Sequence, residues 1–360
     1  MSGTLGDISD LYIQVGEKMK FRVPGGLHEF GDEVNQAEFD DTFSFITNLQ
    51  DALAAKGRVE DAYDLITELQ NSDGNMVQTS TRVRCTVYKY ARATKLGAVV
   101  RFAPDRPEAL KDLHLDPLAR SLLDDLRGAI LVTGPTHSGK TYTMASMMDY
   151  VNSTQRGHIV TIEDPIELPI PPKNCVVSQI EIGRDAPSFA EGVTGSLRQS
   201  PLAVMVGEIR DPATAQAALR VAQGGHFLLA GLHGPDAVGA VRAFCSFLDQ
   251  SRRDEERAQL AQRLNGVIYQ VLVPSIDATT YHPACEVISF LKNPALRQKL
   301  ASGDFDAISA SLINADVGCK SVNHSLVELI KAEKISYEAA KNATYNQLGL
   351  HKVAEKAGLV

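Results

Sequence analysis

Apolar and polar positions follow different patterns in the two parts of this 360-residue chain. In the first part, DLYIQV alternates as a strand does, FDDTFSFITNLQDALAAKG has helical spacing, and TRVRCTVYKYARATKLGAVVRFAP indicates strands separated by turns. These short mixed elements predict a small α+β domain over residues 1–103. The next segment, 104–120, is rich in proline and charge and is predicted to be a linker, although LARSLLDDL already has helical spacing.

From Gly128 onward, near-continuous apolar runs alternate with helical patterns. The runs GAILVTG, HIVTIEDP, LAVMVGE and HFLLAGLH are each bounded by turn or loop residues. Such strands are typical of a parallel sheet that helices cover on both faces. The sequence therefore predicts an α/β core over residues 121–275. After Val273 the pattern becomes mainly helical, which predicts a helical C-terminal part over residues 276–360.

Composition narrows the class of protein. With 44% hydrophobic residues, a chain of this length can bury two cores, so two domains are expected. The formal net charge of -8 argues against a general affinity for nucleic acid, because phosphate-binding surfaces are usually basic. No apolar run approaches the roughly 18 residues that span a bilayer, and MSGTLGDISD lacks the features of a signal peptide. We therefore expect membrane contact only through partners.

The cysteines indicate a reducing compartment. They lie too far apart to form a C-x-x-C metal-binding pair, and their odd number favours free thiols over a disulfide framework. They are Cys85, Cys175, Cys245, Cys285 and Cys319. The sequence therefore predicts a cytoplasmic protein.

The stretch GPTHSGKT, at residues 134–141, matches the phosphate-binding pattern G-x-x-x-x-G-K-[ST] and lies between the strand GAILVT and the helical TYTMASMMDYV. In such a loop, backbone N–H groups and the helix N-terminus hold phosphates, Lys140 reaches the β and γ oxygens, and Thr141 is a ligand of Mg²⁺. We therefore predict binding of a nucleotide with Mg²⁺. The predicted nucleotide-binding residues are Gly134, Pro135, Thr136, His137, Ser138, Gly139, Lys140 and Thr141.

His137 occupies a position of this loop where glycine is more usual. We expect this position to require a positive φ angle, which histidine tolerates better than most residues. We expect modest strain or altered nucleotide kinetics from His137 and retained binding. A direct catalytic role for His137 is the less favoured alternative.

The ends of the next three strands carry further polar motifs. EDPIE follows HIVTI, GEIRD follows LAVMV, and LHG follows HFLLAG. With these motifs the chain resembles the secretion ATPase superfamily that powers type IV pili and type II and type IV secretion, and in particular its PilT branch. TIEDPIEL resembles the aspartate box of that family, VGEIRDPATA its Walker B element, and GGHFLLAGLHG its histidine box.

This resemblance implies a fold and a set of roles. The core would be a P-loop RecA-like parallel sheet, and the smaller N-terminal domain would be PAS-like. Glu163 would be the general base, Glu208 would hold the Mg²⁺ shell, and His233 would sense the γ-phosphate or couple it to a neighbouring subunit. Both glutamates end neighbouring strands of the predicted sheet, so we expect them at the same edge. The alternatives are a solvated loop residue or helix cap for each glutamate, and a packed histidine for His233.

Asp211 precedes a proline, and a helix N-cap followed by proline explains this pair without any chemistry. The resemblance also implies that arginines of the N-terminal domain act as arginine fingers across a subunit interface. Arg84 and Arg101 lie where they would fall, with Arg92 a weaker candidate and a solvated surface the alternative. The resemblance further implies a homo-hexameric ring that is peripheral at the inner membrane through a membrane platform or secretion-complex proteins.

The chain departs from the family in its histidine box. In relatives the sequence at this point is usually close to T-L-H-T, whereas residues 231–234 here are G-L-H-G. Two hydroxyl groups are therefore missing from this box. The absence of a tetracysteine zinc site favours the retraction-type branch, which includes the type IVB secretion and conjugation ATPases DotB and TraJ. The sequence thus favours an active ATPase motor of type IV secretion, conjugation or pilus retraction. A weakly active or inactive nucleotide-binding ring subunit, partner of an active paralogue, is the alternative, and a DNA translocase is weakened by the acidic charge.

Overall fold

The computed structural model describes residues 10–23, 26–46, 49–70, 76–102 and 106–360. The chain forms two compact units. The first comprises residues 1–106 with 167–169, and the second comprises residues 107–166 with 170–360. The opening residues MSGTLGDIS, and residues 103–105 at the start of the predicted linker, lie outside the described residues.

The described residues of the first unit form a six-stranded antiparallel sheet with two helices, in the strand order β3-β2-β1-β6-β5-β4. Phe39 and Leu53 of the helices are buried with Val87 and Ala98 of the sheet, which forms a separate apolar core. The strands and helices are β1 (Asp10–Gln14), β2 (Lys18–Val23), β3 (Gly26–Glu33), α1 (Gln36–Thr42), α2 (Leu49–Lys56), β4 (Arg58–Gln70), β5 (Met76–Tyr90) and β6 (Lys95–Phe102).

The segment predicted as a linker differs from that expectation. The second unit begins at Pro107 and includes a short helix, α3 (Pro117–Arg120). Asp116 caps this helix by accepting a hydrogen bond from the Leu118 N–H. Leu110 and Leu115 are buried, so the apolar positions between the prolines pack in the second unit.

The second unit contains an eight-stranded sheet in the order β14-β13-β12-β7-β11-β10-β8-β9. All neighbouring pairs from β12 to β9 are parallel, and the pairs of β13 with β12 and with β14 are antiparallel. The strands are β7 (Gly128–Thr133), β8 (His158–Glu163), β9 (Val176–Glu181), β10 (Ala203–Val206), β11 (Phe227–Gly231), β12 (Leu264–Pro274), β13 (Tyr281–Ser289) and β14 (Cys319–Lys320).

Helices pack against this sheet and complete the predicted α/β class. Every residue of β7, β10 and β11 is buried, as expected for strands whose side chains meet packed elements on both faces. The helices are α4 (Lys140–Thr154), α5 (Phe189–Ser196), α6 (Pro212–Gln223), α7 (Ala237–Ser246), α8 (Arg253–Arg263), α9 (Ala295–Ser302), α10 (Phe305–Ile313), α11 (Val322–Lys331), α12 (Tyr337–Ala343) and α13 (Gln347–Lys356).

The C-terminal part is mainly helical as predicted, but it begins with a strand that the helical pattern did not indicate. β13 pairs with β12 over nine residues and extends the sheet. Its continuous burial from Ala284 to Ser289 is compatible with either a strand or a buried helix, so periodicity alone does not distinguish them. Within the described residues, no helix is both long and apolar enough to span a bilayer.

The sheet places the sequence motifs together. Because β7, β11, β10 and β8 are parallel neighbours, their carboxyl ends meet at one edge, where ligands of open α/β sheets bind. We call this edge the motif edge. The P-loop follows β7 and Glu208 of the Walker B element follows β10. The aspartate box begins at the end of β8, and the histidine box contains β11 and the residues directly after it.

Candidate functional site

The loop between β7 and α4 has the backbone geometry of a phosphate cradle. Gly134 and Gly139 have φ angles of 149° and 80°, and Gly139 is the N-cap of α4. His137 has a φ of 63°, so the predicted positive angle is confirmed. Left-handed backbone costs a side-chain-bearing residue about 1–2 kcal/mol, which is the modest strain expected of His137.

A buried glutamine of β12 supports this loop. Gln270 Nε2 donates to the carbonyl oxygen of Ser138 at 2.7 Å, and its Oε1 accepts from Thr143 Oγ1 at 2.8 Å. A β-carbon at Gly134 would lie 2.2 Å from the carbonyl oxygen of Gln270, so only glycine fits there. Sequence reasoning missed Gln270. Its signal was a polar residue inside the apolar run LNGVIYQVLVP, because a buried amide needs partners.

The residues of the loop fit a nucleotide phosphate. Ser138 Oγ is buried and has no hydrogen-bond partner in the described structure. Lys140 Nζ donates to the carbonyl oxygens of Gly134 and Pro135 at 2.7 and 2.9 Å, so its ammonium lies against the loop. The 15-residue helix α4 begins directly behind the loop, and the free N–H groups of such a terminus bind anions.

Thr141, in the first turn of α4, is half-buried and adjoins this cradle. Among the described residues, no group of three or more His, Cys, Asp or Glu side chains could hold a metal ion. Mg²⁺ commonly uses one or two protein oxygens together with substrate phosphates and water. The Thr141 hydroxyl beside a phosphate cradle therefore suits Mg²⁺ better than it would suit a metal that requires an all-protein cage.

Two glutamates lie at the motif edge, as predicted. Glu163 is the last residue of β8, and Glu208 follows β10, with which β8 pairs in parallel. Glu163 is buried, and its Oε1 accepts from Thr161 Oγ1 at 2.7 Å and from Gln179 Nε2 at 3.0 Å. These donors hold the carboxylate in one orientation. Its role as a general base stays a prediction.

His233 and Glu208 are in direct contact. His233 follows β11, which lies between β7 and β10, and its Nε2 lies 3.2 Å from Glu208 Oε1. A carboxylate beside an imidazole nitrogen orients the ring and selects its tautomer. The structure therefore joins two residues that the sequence had assigned to separate motifs.

The two glycines of the histidine box sit where the backbone is crowded. A β-carbon at Gly231 would lie 2.1 Å from the carbonyl oxygen of Gly207, and one at Gly234 would lie 2.9 Å from the Ala240 nitrogen. Real β-carbon contacts are longer than these distances. In this chain the surrounding backbone is therefore too close at both positions to leave room for a hydroxyl-bearing side chain.

The predicted arginines lie together in the first unit. Arg84 of β5 and Arg101 of β6 are direct cross-strand partners. Arg101 Nε donates to Asp10 Oδ1 at 2.9 Å, and Arg84 Nη1 lies 3.5 Å from Glu167 Oε1. Arg92 lies in the turn between these strands, with a φ of 56°. Action of these arginines across a subunit interface stays a prediction.

Asp211 is a helix cap, as the sequence indicated. It is the N-cap of α6, and its Oδ1 accepts from the Thr214 N–H at 2.8 Å. Burial would raise its pKa, but hydrogen bonds from Thr214 outweigh burial and the pKa is lowered. Its neighbour Arg210 lies 3.6 Å from Asp164 Oδ2.

A parallel α/β sheet with a P-loop and two glutamates at one edge defines a P-loop nucleotide-binding protein. Residues 109–348 match the family model described as type II/IV secretion system protein. The chain is 31% identical over 289 residues to the Pseudomonas aeruginosa type IV pilus retraction ATPase PilT, covering 78% of this chain and 83% of that one. It is 33% identical over 251 residues to a Neisseria gonorrhoeae twitching motility protein, covering 69% and 67%.

Solved structures agree over nearly the whole chain. The pilus retraction motor PilT with bound ADP has a TM-score of 0.80 and 28% identity, covering 96% of this chain and 95% of that one. The Legionella pneumophila ATPase DotB has a TM-score of 0.79 and 26% identity, covering 93% and 91%. The chain belongs to the type II/IV secretion system protein family, within the PilT-like secretion ATPase superfamily.

Proposed function

We propose that this protein is a Mg²⁺-dependent ATPase that acts as a homo-hexameric motor for a type IV secretion, conjugation or pilus retraction machine. The observation that carries the proposal is the motif edge, where the P-loop, Glu163, Glu208 and His233 end neighbouring parallel strands. The relatives named as ATPases and retraction motors support the same activity.

Each residue of the edge has a proposed task in hydrolysis. Loop N–H groups and Lys140 would bind the phosphates. Thr141 would be a ligand of Mg²⁺ and Glu208 would hold its shell, and the ion would supply positive charge beside the phosphate oxygens. Glu163 takes a proton from water, the resulting hydroxide attacks the γ-phosphorus, and ADP leaves. The contacts of Glu163 with Thr161 and Gln179 fix the base that receives the proton.

The remaining proposals concern assembly. Arg84 and Arg101 of one subunit would stabilise charge at the site of a neighbour, which makes the hexamer necessary for turnover. The ring would transmit motion to inner-membrane platform or secretion-complex proteins from the cytoplasmic side. We propose no specific nucleic-acid binding, in line with the net charge of -8.

Phosphate release by a ring of verified mass tests this function. We expect turnover by the wild type, and a loss of about a hundredfold or more in Lys140→Ala and Glu163→Gln. Glu163→Gln should still bind ATP, because the P-loop is unchanged. Glu191→Gln, on the exposed first turn of α5, is the matched control and should keep full activity.

A second candidate is a nucleotide-binding ring subunit without turnover, acting as the structural partner of an active paralogue. The left-handed His137 and the crowded glycines of the histidine box favour it. It predicts a hexamer that binds ATP and releases no more phosphate than Glu163→Gln. Turnover that depends on Glu163 would exclude it.

A further inference from the structure

A buried carboxylate outside the family motifs joins three segments of the second unit. Glu286 of β13 is fully buried. Its Oε1 accepts from the Ala237 N–H at 2.9 Å, and its Oε2 accepts from the Tyr345 hydroxyl at 2.6 Å and the Val322 N–H at 3.4 Å. A buried carboxylate needs such donors, because burial without them is costly. Glu286 therefore links the first residues of α7 and α11 to the turn before α13.

The bond to Ala237 reaches the histidine loop, which we define as residues 232–236 between β11 and α7. Asp236 ends this loop as the N-cap of α7, and the Leu232 N–H at its other end donates to the Val132 carbonyl at 2.9 Å. His233 lies between these two anchors. Because Ala237 directly follows the loop, its bond to Glu286 holds the end nearer to α7.

Tyr345 brings the C-terminal helices into the same network. It lies between α12 and α13 and is half exposed, yet its hydroxyl reaches the buried carboxylate. Its ring packs edge-on against buried Tyr269 with 5.8 Å between centroids. The adjoining Thr344 Oγ1 donates to Asn323 Oδ1 at 2.6 Å, which fixes the turn on α11. The contact with Tyr269 and the bond between Thr344 and Asn323 thus fix the side chain of Tyr345 with its hydroxyl directed at Glu286.

We infer that Tyr345 and Glu286 are a positioning pair, through which the C-terminal helices set the position of the histidine loop and hence the rate of phosphate release. Without the Tyr345 hydroxyl, the long bond from Val322 is the only one left to Oε2 among the described residues. The carboxylate can then shift toward water, and the Ala237 bond weakens with it. The part concerning rate rests on the proposed ATPase function; the part concerning position does not.

The central experiment compares Tyr345→Phe with Tyr337→Phe in the full-length ring. Both changes remove one tyrosine hydroxyl from the C-terminal part, but the Tyr337 hydroxyl lies 3.4 Å from His351 Nδ1 and not at Glu286. Hydrogen exchange of the Ala237 amide reports position. We expect it to be about tenfold faster in Tyr345→Phe and unchanged in Tyr337→Phe. Equal exchange in both variants and the wild type would overturn the inference.

Turnover gives the second readout. We expect kcat for phosphate release to fall about tenfold in Tyr345→Phe while ATP affinity stays within about twofold, because the P-loop is untouched. A wild type without turnover would end the ATPase proposal, and Ala237 exchange would still decide the positioning claim. Faster exchange throughout β7 and α4 as well would mean general loosening and would also overturn the inference.

A conservative variant provides a rescue test that does not depend on tyrosine. In Glu286→Gln the amide oxygen can accept from Ala237, and the amide N–H can donate to the Tyr345 oxygen. Ala237 exchange should therefore stay closer to wild type in Glu286→Gln than in Glu286→Ala. Equal exchange in these two variants would show that hydrogen bonding by residue 286 does not hold the loop.

Discussion

The P-loop and the histidine loop reach the same edge of the sheet, and each is held by a buried polar side chain from another strand of that sheet. Gln270 of β12 holds the P-loop, and Glu286 of β13 holds the residue that follows the histidine loop. Tyr269 is the cross-strand partner of Glu286. Since side chains alternate along a strand, Gln270 faces the opposite side of the sheet from Tyr269. The two loops are thus supported from opposite faces.

The two supports differ in chemistry. An amide donates and accepts, so Gln270 satisfies a carbonyl and a hydroxyl that both belong to the same strand-loop-helix unit. A carboxylate only accepts, so Glu286 requires donors from three segments, one of them in the C-terminal helices. Both partners of the P-loop support therefore lie in one strand-loop-helix unit and the support is uncharged, whereas the support of the histidine loop depends on three separate segments and is a group that titrates.

The largest expected effect comes from removing the amide support. In Gln270→Leu the Ser138 carbonyl and the Thr143 hydroxyl lose their partner, and the loop loses its fixed position. We expect ATP binding at least about tenfold weaker, measured by calorimetry. Gln223→Leu is the control, because Gln223, the last residue of α6, donates its amide N–H to Gln259 Oε1 of α8, far from the P-loop. Equal affinity in both variants would contradict the role of Gln270.

An intermediate effect, on the pH dependence of stability, tests the charge of Glu286. Burial raises the pKa of Glu286, and hydrogen bonds from Tyr345 and Ala237 oppose this without outweighing it. The native state therefore binds this proton more tightly than the unfolded chain, so its stabilising contribution is complete below pH 4.5 and is lost as pH rises through the raised pKa. The free energy of unfolding of the wild type should fall with pH relative to Glu286→Gln.

Denaturant titrations of the wild type and Glu286→Gln, from below pH 4.5 upward, measure this difference in the free energy of unfolding. The titratable groups facing Glu286 are the same in both proteins, so they largely cancel; they are Asp236, Tyr269, Cys319 and Tyr345. Parallel curves for wild type and variant would mean that Glu286 does not titrate differently on folding. Gln270→Leu offers the contrast, because an amide contributes no pH dependence.

The smallest expected effect concerns strain within the P-loop itself. His137→Gly relieves the left-handed backbone but adds freedom to the unfolded chain, so we expect stabilisation of about 1 kcal/mol or less. ATP affinity should be unchanged. His137→Ala retains a β-carbon and should give no relief. A large loss of phosphate release in His137→Gly would instead show that the imidazole takes part in the chemistry.

The sequence alone determined the local features of this protein. The P-loop, the positive φ of His137 and the Asp211 cap each depend on residues within a few positions of one another, where spacing and residue type are sufficient. The shared edge of Glu163 and Glu208 was also predictable, because successive strands of a parallel α/β core end on the same side.

Only the tertiary structure decided the supports of the two loops. Gln270 lies 132 residues from Ser138, and Glu286 lies 49 residues from Ala237 and 59 from Tyr345. A polar residue in a buried strand signals that it needs a partner, but sheet order decides which partner it meets. β13, which carries Glu286, was itself not predicted, since continuous burial suits a strand and a core helix equally well. Contacts between residues far apart in sequence therefore became visible only once the strands were paired.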